Sequence, residues 1–238
     1  MKIIKSVLKA YLAILKSIVM FPSSIFWILS TFPIFGFILS TGISYSYKGC
    51  VKKTLPSTSL LLSDTRYSFY LMIIHLVIVA AFIRFHFMVE KYFSRTLRFA
   101  APLAKEITNK YLNSLHYIAV VVSLSHLGFT LVKYRTHSHL HYLFVVAYYI
   151  SSIAYNYCFA KIEGIKNGQI HPQGYLVDLI STLLTVAFIP LILFFLNTTF
   201  SNKVLIVCSI CQNIISLCFD IKYIYHAVSI LGNRFVNL

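Results

Sequence analysis

Apolar residues along the chain cluster in six runs that are separated by short polar connections. Each run is close to the roughly 20 residues that a helix needs to cross the hydrocarbon core of a bilayer. Backbone polar groups in lipid must be paired within their own segment, so each run is predicted to be a helix. The pattern therefore predicts an all-α, polytopic integral membrane protein built as a bundle of six transmembrane helices. The predicted spans are Met20–Gly42, Ser68–Val89, Leu112–Val132, Tyr142–Ile162, Leu176–Leu196 and Val204–Val228.

The segment before the first span, residues 1–18, combines regularly spaced lysines with apolar residues. At about 100° per residue the lysines fall on one side of a helix. Two interpretations stay open: an amphipathic helix that lies on the membrane surface, or an extension of the first span. The lysines are Lys2, Lys5, Lys9 and Lys16.

The distribution of Lys and Arg predicts the orientation. Two thirds of the 21 basic residues lie on the same side of the membrane as the N-terminus when the six spans are threaded in turn. Because cytoplasmic loops carry an excess of Lys and Arg, both termini are expected in the cytoplasm. Residues 45–67 then form the first lumenal loop and residues 90–111 a basic cytoplasmic loop, within a single domain that covers residues 1–238. Asn197 begins a lumenal glycosylation sequon whose use stays open.

Composition agrees with a lipid environment. The chain is 58% hydrophobic and 11% charged, whereas soluble domains carry about 25% charged residues. The net charge of +15 comes from residues in short loops between apolar runs. This arrangement favours membrane orientation and attraction to anionic headgroups over nucleic-acid binding, so no nucleic-acid partner is expected.

Several ionisable residues lie in or near the predicted spans, among them His75, His116 and His126. Intramembrane ionisable groups are costly and usually face a bundle interior. If they converged, Asp64, His75 and His116 could supply general acid–base chemistry, and Arg66 could hold a lipid phosphate. The alternative is that the histidines make helix–helix hydrogen bonds and that Arg66 pairs with Asp64 within the loop.

The stretch "THSHLH" places three histidines at alternating positions, His137, His139 and His141. In an extended loop all three would face one side, as a zinc site requires, whereas on a helix only the first and last would do so. Neither a carboxylate nor a cysteine lies nearby in the sequence to complete a site. We therefore expect a solvated loop here, and neither a metal site nor a cofactor in the protein.

Short motifs in the first lumenal loop and in the second to fourth spans resemble a known family. The matching features are Cys50, Leu55-Pro56-Ser57-x-Ser59, Arg66-Tyr67, His75, Leu112-Asn113, Phe144 and Ser151-Ser152. Together with the six-span plan they are similar to the post-GPI-attachment factor two family, in the wider DRAM/Sfk/Frag group of six-helix membrane proteins. The chain resembles a divergent member of that family.

The resemblance implies a role in GPI-anchor lipid remodelling, the replacement of a fatty acid on GPI-anchored proteins, in a Golgi or endoplasmic reticulum membrane. The implied partners are membrane lipids, GPI-anchored proteins or their lipid moiety, and another membrane protein. In this interpretation Ser57, Ser59 and Arg66 bind the lipid headgroup. Whether the family member is the acyltransferase or its helper stays open. The sister branches imply the alternative of a non-catalytic regulator of lipid organisation or autophagy.

Overall fold

The structure is a computed structural model, and it describes the central part of the chain. The described residues are 62, 68–97, 101–134 and 136–167, with scattered positions between 179 and 226. The predicted segment 1–18, the first span and all of the loop 45–67 except Leu62 lie outside the described residues. The last two predicted spans are described only at those scattered positions.

All regular secondary structure in the described residues is helical. Three long helices follow one another: α1 (Ser68–Thr96), α2 (Pro102–Leu131) and α3 (Ser138–Asn167). At a rise of 1.5 Å per residue each is about 43–45 Å long, which exceeds the roughly 30 Å hydrocarbon core of a bilayer. All three are long and apolar enough to cross a membrane. The second, third and fourth predicted spans are therefore present as helices, while the count of six and the placement of both termini stay predictions.

The helices extend beyond the predicted spans, most of all in the range assigned to a basic loop. α1 continues to Thr96, and α2 already begins at Pro102, so the connection is much shorter than residues 90–111. The Lys, Arg and Glu residues in this range are good helix formers and do not end a helix in water. Pro102 occupies the first turn of α2, where its missing N–H would have no helical partner. The apolar pattern therefore predicted the presence of these three helices better than the positions at which they end.

The first two helices run in opposite directions, as their side-chain contacts show. His75 near the start of α1 contacts His126 near the end of α2. Eleven residues further along α1, His86 contacts His116, which lies ten residues earlier in α2. The short connection between the helices produces this antiparallel pairing and sets its register.

A tight hairpin joins α2 to α3 and places α3 against both earlier helices. Val132 ends α2 in an extended conformation, and its N–H donates to the Gly128 carbonyl at 2.9 Å. The ring of Phe144 on α3 lies against Gly128, where any Cβ atom would overlap it. Small residues allow such close approach of membrane helices. Toward the other end of α3, the rings of Phe93 and Phe159 lie 5.4 Å apart and connect it to α1.

Several polar residues of these helices point inward, and several large apolar residues point outward. Buried hydroxyls donate to carbonyls one turn earlier, as Ser123 does to Ala119 and Thr130 to His126, both at 2.8 Å. Such bonds satisfy hydroxyls where water is absent. Large apolar side chains on the outer faces include Leu124 and Leu143, which are more than half exposed. This arrangement fits a bundle whose surroundings are lipid.

Candidate functional site

Four histidines of α1 and α2 meet at two levels of the bundle. His75 and His86 are eleven residues apart, which places them within about 20° of each other on the helix surface and about 16 Å apart along the axis. His126 and His116 of α2 face them in the antiparallel register. We call the first level the His75 pair (His75 and His126). We call the second level the Glu90 cluster (His86, Glu90 and His116).

The His75 pair is enclosed by aromatic rings. Nδ1 of His75 lies 2.9 Å from Nε2 of His126, so that one ring donates a hydrogen bond and the other accepts it. The His126 ring is buried and stacks on Phe129, with centroids 4.7 Å apart and planes 16° apart. Tyr148 of α3 meets the same ring edge-on at 4.8 Å. The pair is an interhelical hydrogen bond between two imidazoles that lie against aromatic rings.

The Glu90 cluster brings two imidazole nitrogens and a carboxylate oxygen together. Oε1 of Glu90 lies 2.9 Å from Nδ1 of His116 and 3.6 Å from Nε2 of His86. The two nitrogens lie 3.4 Å from each other. Three atoms that carry lone pairs therefore surround one small volume, and this residue set has the composition of a metal site.

Burial in the Glu90 cluster is strongly asymmetric. The His86 side chain is 5% exposed, whereas those of Glu90 and His116 are 31% and 45% exposed. The other ring nitrogen of His86, Nδ1, lies 3.4 Å from the hydroxyl of Tyr155, a fully buried residue of α3. The His86 side chain is thus fixed by a contact inside the bundle, while the Glu90 and His116 side chains reach the surface.

A groove of about 450 Å³ opens beside the cluster between α1 and α2. Glu90 is part of its wall, and its other polar lining residues are Lys91, Ser94, Asn109 and Asn113. Lys91 and Ser94 follow Glu90 on α1, so the groove lies on the Thr96 side of the cluster. A small molecule or headgroup in this groove would reach the Glu90 carboxylate directly.

The candidate residues from the sequence separate into three groups. His75 pairs with His126, and His116 belongs to the other level with Glu90 and His86. The structure therefore does not bring His75 and His116 together. Ser57, Ser59, Asp64 and Arg66 lie outside the described residues.

The histidines of the "THSHLH" stretch have different environments. His137 and His139 are exposed, and α3 already begins between them at Ser138. His141 is buried, and its Nδ1–H donates to the Val132 carbonyl at 2.7 Å. Its role is to close the hairpin between α2 and α3.

Sequence analysis missed two members of the Glu90 cluster. His86 received no attention within its span, and Glu90 was placed in a loop because the span was ended at Val89. Their spacing of four residues puts both on one face of a continuous helix, and this signal was available in the sequence. The distant partner His116 was a predicted candidate for acid–base chemistry, but the sequence did not connect it with His86 or Glu90.

Comparison with protein-family models, with curated proteins and with solved structures found no match for this chain.

Proposed function

We propose that the protein is a multi-pass membrane protein of the secretory pathway that takes part in GPI-anchor lipid remodelling. The proposed setting is a Golgi or endoplasmic reticulum membrane, with both termini cytoplasmic and the loop 45–67 in the lumen. Its partners are membrane lipids, GPI-anchored proteins or their lipid moiety, and another membrane protein. The proposal leaves the catalyst and the helper role as alternatives.

The observation that carries the proposal is the depth of the His75 pair. His75 lies seven residues into α1, about 10 Å along the axis from Ser68. The Leu55–Tyr67 stretch that resembles the family leads directly into this end of α1. In the proposed mechanism Arg66, Ser57 and Ser59 hold an anionic lipid headgroup above the bundle, and the His75 pair lies below at the depth of the upper acyl chains.

Cells that lack the protein test this proposal. The expected result is a lower surface level of GPI-anchored proteins and a smaller saturated fraction among their anchor lipids. The wild-type chain should restore both, whereas Arg66→Ala and His75→Ala should not. Lys53→Ala and His137→Ala are the controls, since Lys53 is another basic residue of the same loop and His137 is another histidine, both outside the proposed site, and both variants should rescue fully.

Unchanged surface levels and unchanged anchor lipids in those cells would contradict the proposal. That result would favour the alternative, a non-catalytic regulator of lipid organisation or autophagy. Full rescue by Arg66→Ala and His75→Ala would instead reject the proposed residues.

A further inference from the structure

The Glu90 cluster has the donor set of a transition-metal site. Nitrogen donors from two imidazoles favour zinc, copper, iron or nickel, while Mg²⁺ and Ca²⁺ prefer sites made of oxygen. Two histidines and one glutamate are also a known set of three protein ligands around zinc. All three donor atoms here come from adjacent positions of the packed helices α1 and α2.

The spacing of the donor atoms is close to that of a tetrahedral site, the geometry that zinc prefers. Ligands at about 2.0–2.1 Å from a tetrahedral ion are about 3.3–3.4 Å apart. The three separations of 2.9, 3.4 and 3.6 Å lie around this value. One face of an octahedral site at similar bond lengths has separations of about 2.9 Å, which only one of the three matches.

Tyr155 prepares His86 for this role. The Tyr155 hydroxyl lies at hydrogen-bond distance from Nδ1 of His86, on the side away from the cluster. When Nδ1–H donates to this hydroxyl, Nε2 has no proton and directs its lone pair toward Glu90 and His116. Metal-bound histidines nearly always donate their second ring nitrogen in this way, which fixes the ring and its tautomer.

The same three atoms can be joined in two ways. Nε2 of His86 and Nδ1 of His116 face each other and the same oxygen of Glu90. A carboxylate oxygen can accept two N–H groups, in which case Nδ1 of His86 accepts from the Tyr155 hydroxyl. When both facing nitrogens carry no proton, a divalent cation accepts all three lone pairs at once.

We propose that His86, Glu90 and His116 bind a Zn²⁺ ion at the boundary of the membrane, with a fourth position open toward the groove beside Lys91. The partial exposure of Glu90 and His116 gives that position access to water or to an oxygen of a ligand. Lys91, Ser94, Asn109 and Asn113 supply a cation, a hydroxyl and two amides around it. This site does not depend on the proposed role in GPI remodelling, because it lies at the opposite end of α1 from the Leu55–Tyr67 stretch.

The test measures zinc bound to the purified full-length chain in lipid nanodiscs. All variants carry His137→Ala and His139→Ala, since exposed imidazoles bind zinc adventitiously. After chelator treatment and dialysis against Zn²⁺, this background should bind one zinc ion per chain. Glu90→Gln, which preserves the shape of the side chain, should weaken binding by more than about 100-fold, because ligand loss exceeds the effect of a supporting residue.

Two further variants make the result specific. Tyr155→Phe removes only the supporting hydroxyl and should weaken binding by about 10–100-fold. His75→Ala removes a histidine of the same helix outside the cluster and should leave the affinity unchanged. Size-exclusion chromatography of each variant verifies folding, and His116→Ala replaces any variant that does not fold, because His116 is the most exposed ligand.

The proposal is overturned if the background chain binds no zinc in excess Zn²⁺. It is equally overturned if Glu90→Gln and His116→Ala bind zinc as the background does. Zinc that is lost in His75→Ala but retained in Glu90→Gln would place the ion at the His75 pair instead.

Discussion

The His75 pair and the Glu90 cluster use the same two helices and the same pairing of histidines, but their surroundings differ. At the first level the rings of Phe129 and Tyr148 surround the pair, and the described residues place no charged group in contact with it. At the second level a carboxylate joins the two imidazoles, and a polar groove opens beside them. The comparison shows that an intramembrane histidine acquires its role from its neighbours on other helices.

The burial of the two levels points to different functions. A paired, ring-stacked histidine contributes to helix association, as interhelical hydrogen bonds in membranes do. In the Glu90 cluster, the partly exposed side chains of Glu90 and His116 contribute little to packing and can bind a cation. Stability should therefore depend mainly on the His75 pair, and metal binding on the Glu90 cluster.

The largest expected effect comes from His126→Ala. This change removes a buried ring that stacks on Phe129 and leaves His75 without its partner. The free energy of unfolding, measured in mixed micelles without zinc, should fall by about 2–4 kcal/mol. The matched change His116→Ala should lower it by less than about 1 kcal/mol, because this side chain is 45% exposed. Equal losses in the free energy of unfolding from the two changes would contradict the proposed difference between the two levels.

Zinc removal should have the next largest effect. At a free zinc concentration of about 100 times the dissociation constant, binding to the folded state alone adds about 2.7 kcal/mol to stability. Adding a chelator to the zinc-loaded chain should therefore lower its melting temperature, and Glu90→Gln should show no such decrease. A decrease of the same size in Glu90→Gln would show that the stabilising ion binds elsewhere.

Gly128→Ala tests whether close packing of α3 holds the His75 pair in place. A Cβ atom at this position would overlap the ring of Phe144, so α2 and α3 must separate or the ring must move. The free energy of unfolding should fall by about 1–2 kcal/mol, since overpacking strains neighbouring side chains. Hydrogen exchange of His126 and Tyr148 amides should increase, while zinc affinity at the Glu90 cluster stays unchanged. Wild-type stability in this variant would contradict the close approach of the two helices.

The smallest effect is the coupling within the His75 pair itself. A double-mutant cycle with His75→Phe and His126→Phe replaces each imidazole with an aromatic ring that cannot hydrogen-bond, and the cycle isolates the coupling between the two positions. Interhelical hydrogen bonds in membranes average about 0.6 kcal/mol, and we expect a coupling energy of that size. If the losses in the free energy of unfolding of the two single variants add up to that of the double variant, the 2.9 Å contact contributes nothing to stability.

Sequence patterns predicted the three described spans but not the sites between them. Runs of apolar residues locate the segments that meet lipid, because that environment excludes unpaired charges along the span. They did not locate the end of α1, since Lys91 and Arg95 continue the helix beyond the apolar run. Ending the span at Val89 separated Glu90 from His86 and concealed their shared helix face.

The pairing of distant histidines depends on information that a single sequence does not contain. His75, His116 and His126 were recognised as intramembrane residues, but which of them meet depends on the register of α1 against α2. That register follows from the helical continuation of residues 90–97 and from the start of α2 at Pro102. An alternative hypothesis with all three in one site was equally compatible with the sequence pattern.

The central claim is that the two levels differ in chemistry and that only the Glu90 cluster holds a cation. X-ray absorption at the zinc K edge, on the zinc-loaded full-length chain with His137→Ala and His139→Ala, tests it most directly. We predict a first shell of four nitrogen or oxygen atoms at about 2.0–2.1 Å, with the outer-shell signal of two imidazoles. Sulfur ligands at about 2.3 Å, or a shell of oxygen atoms without imidazole, would contradict the claim.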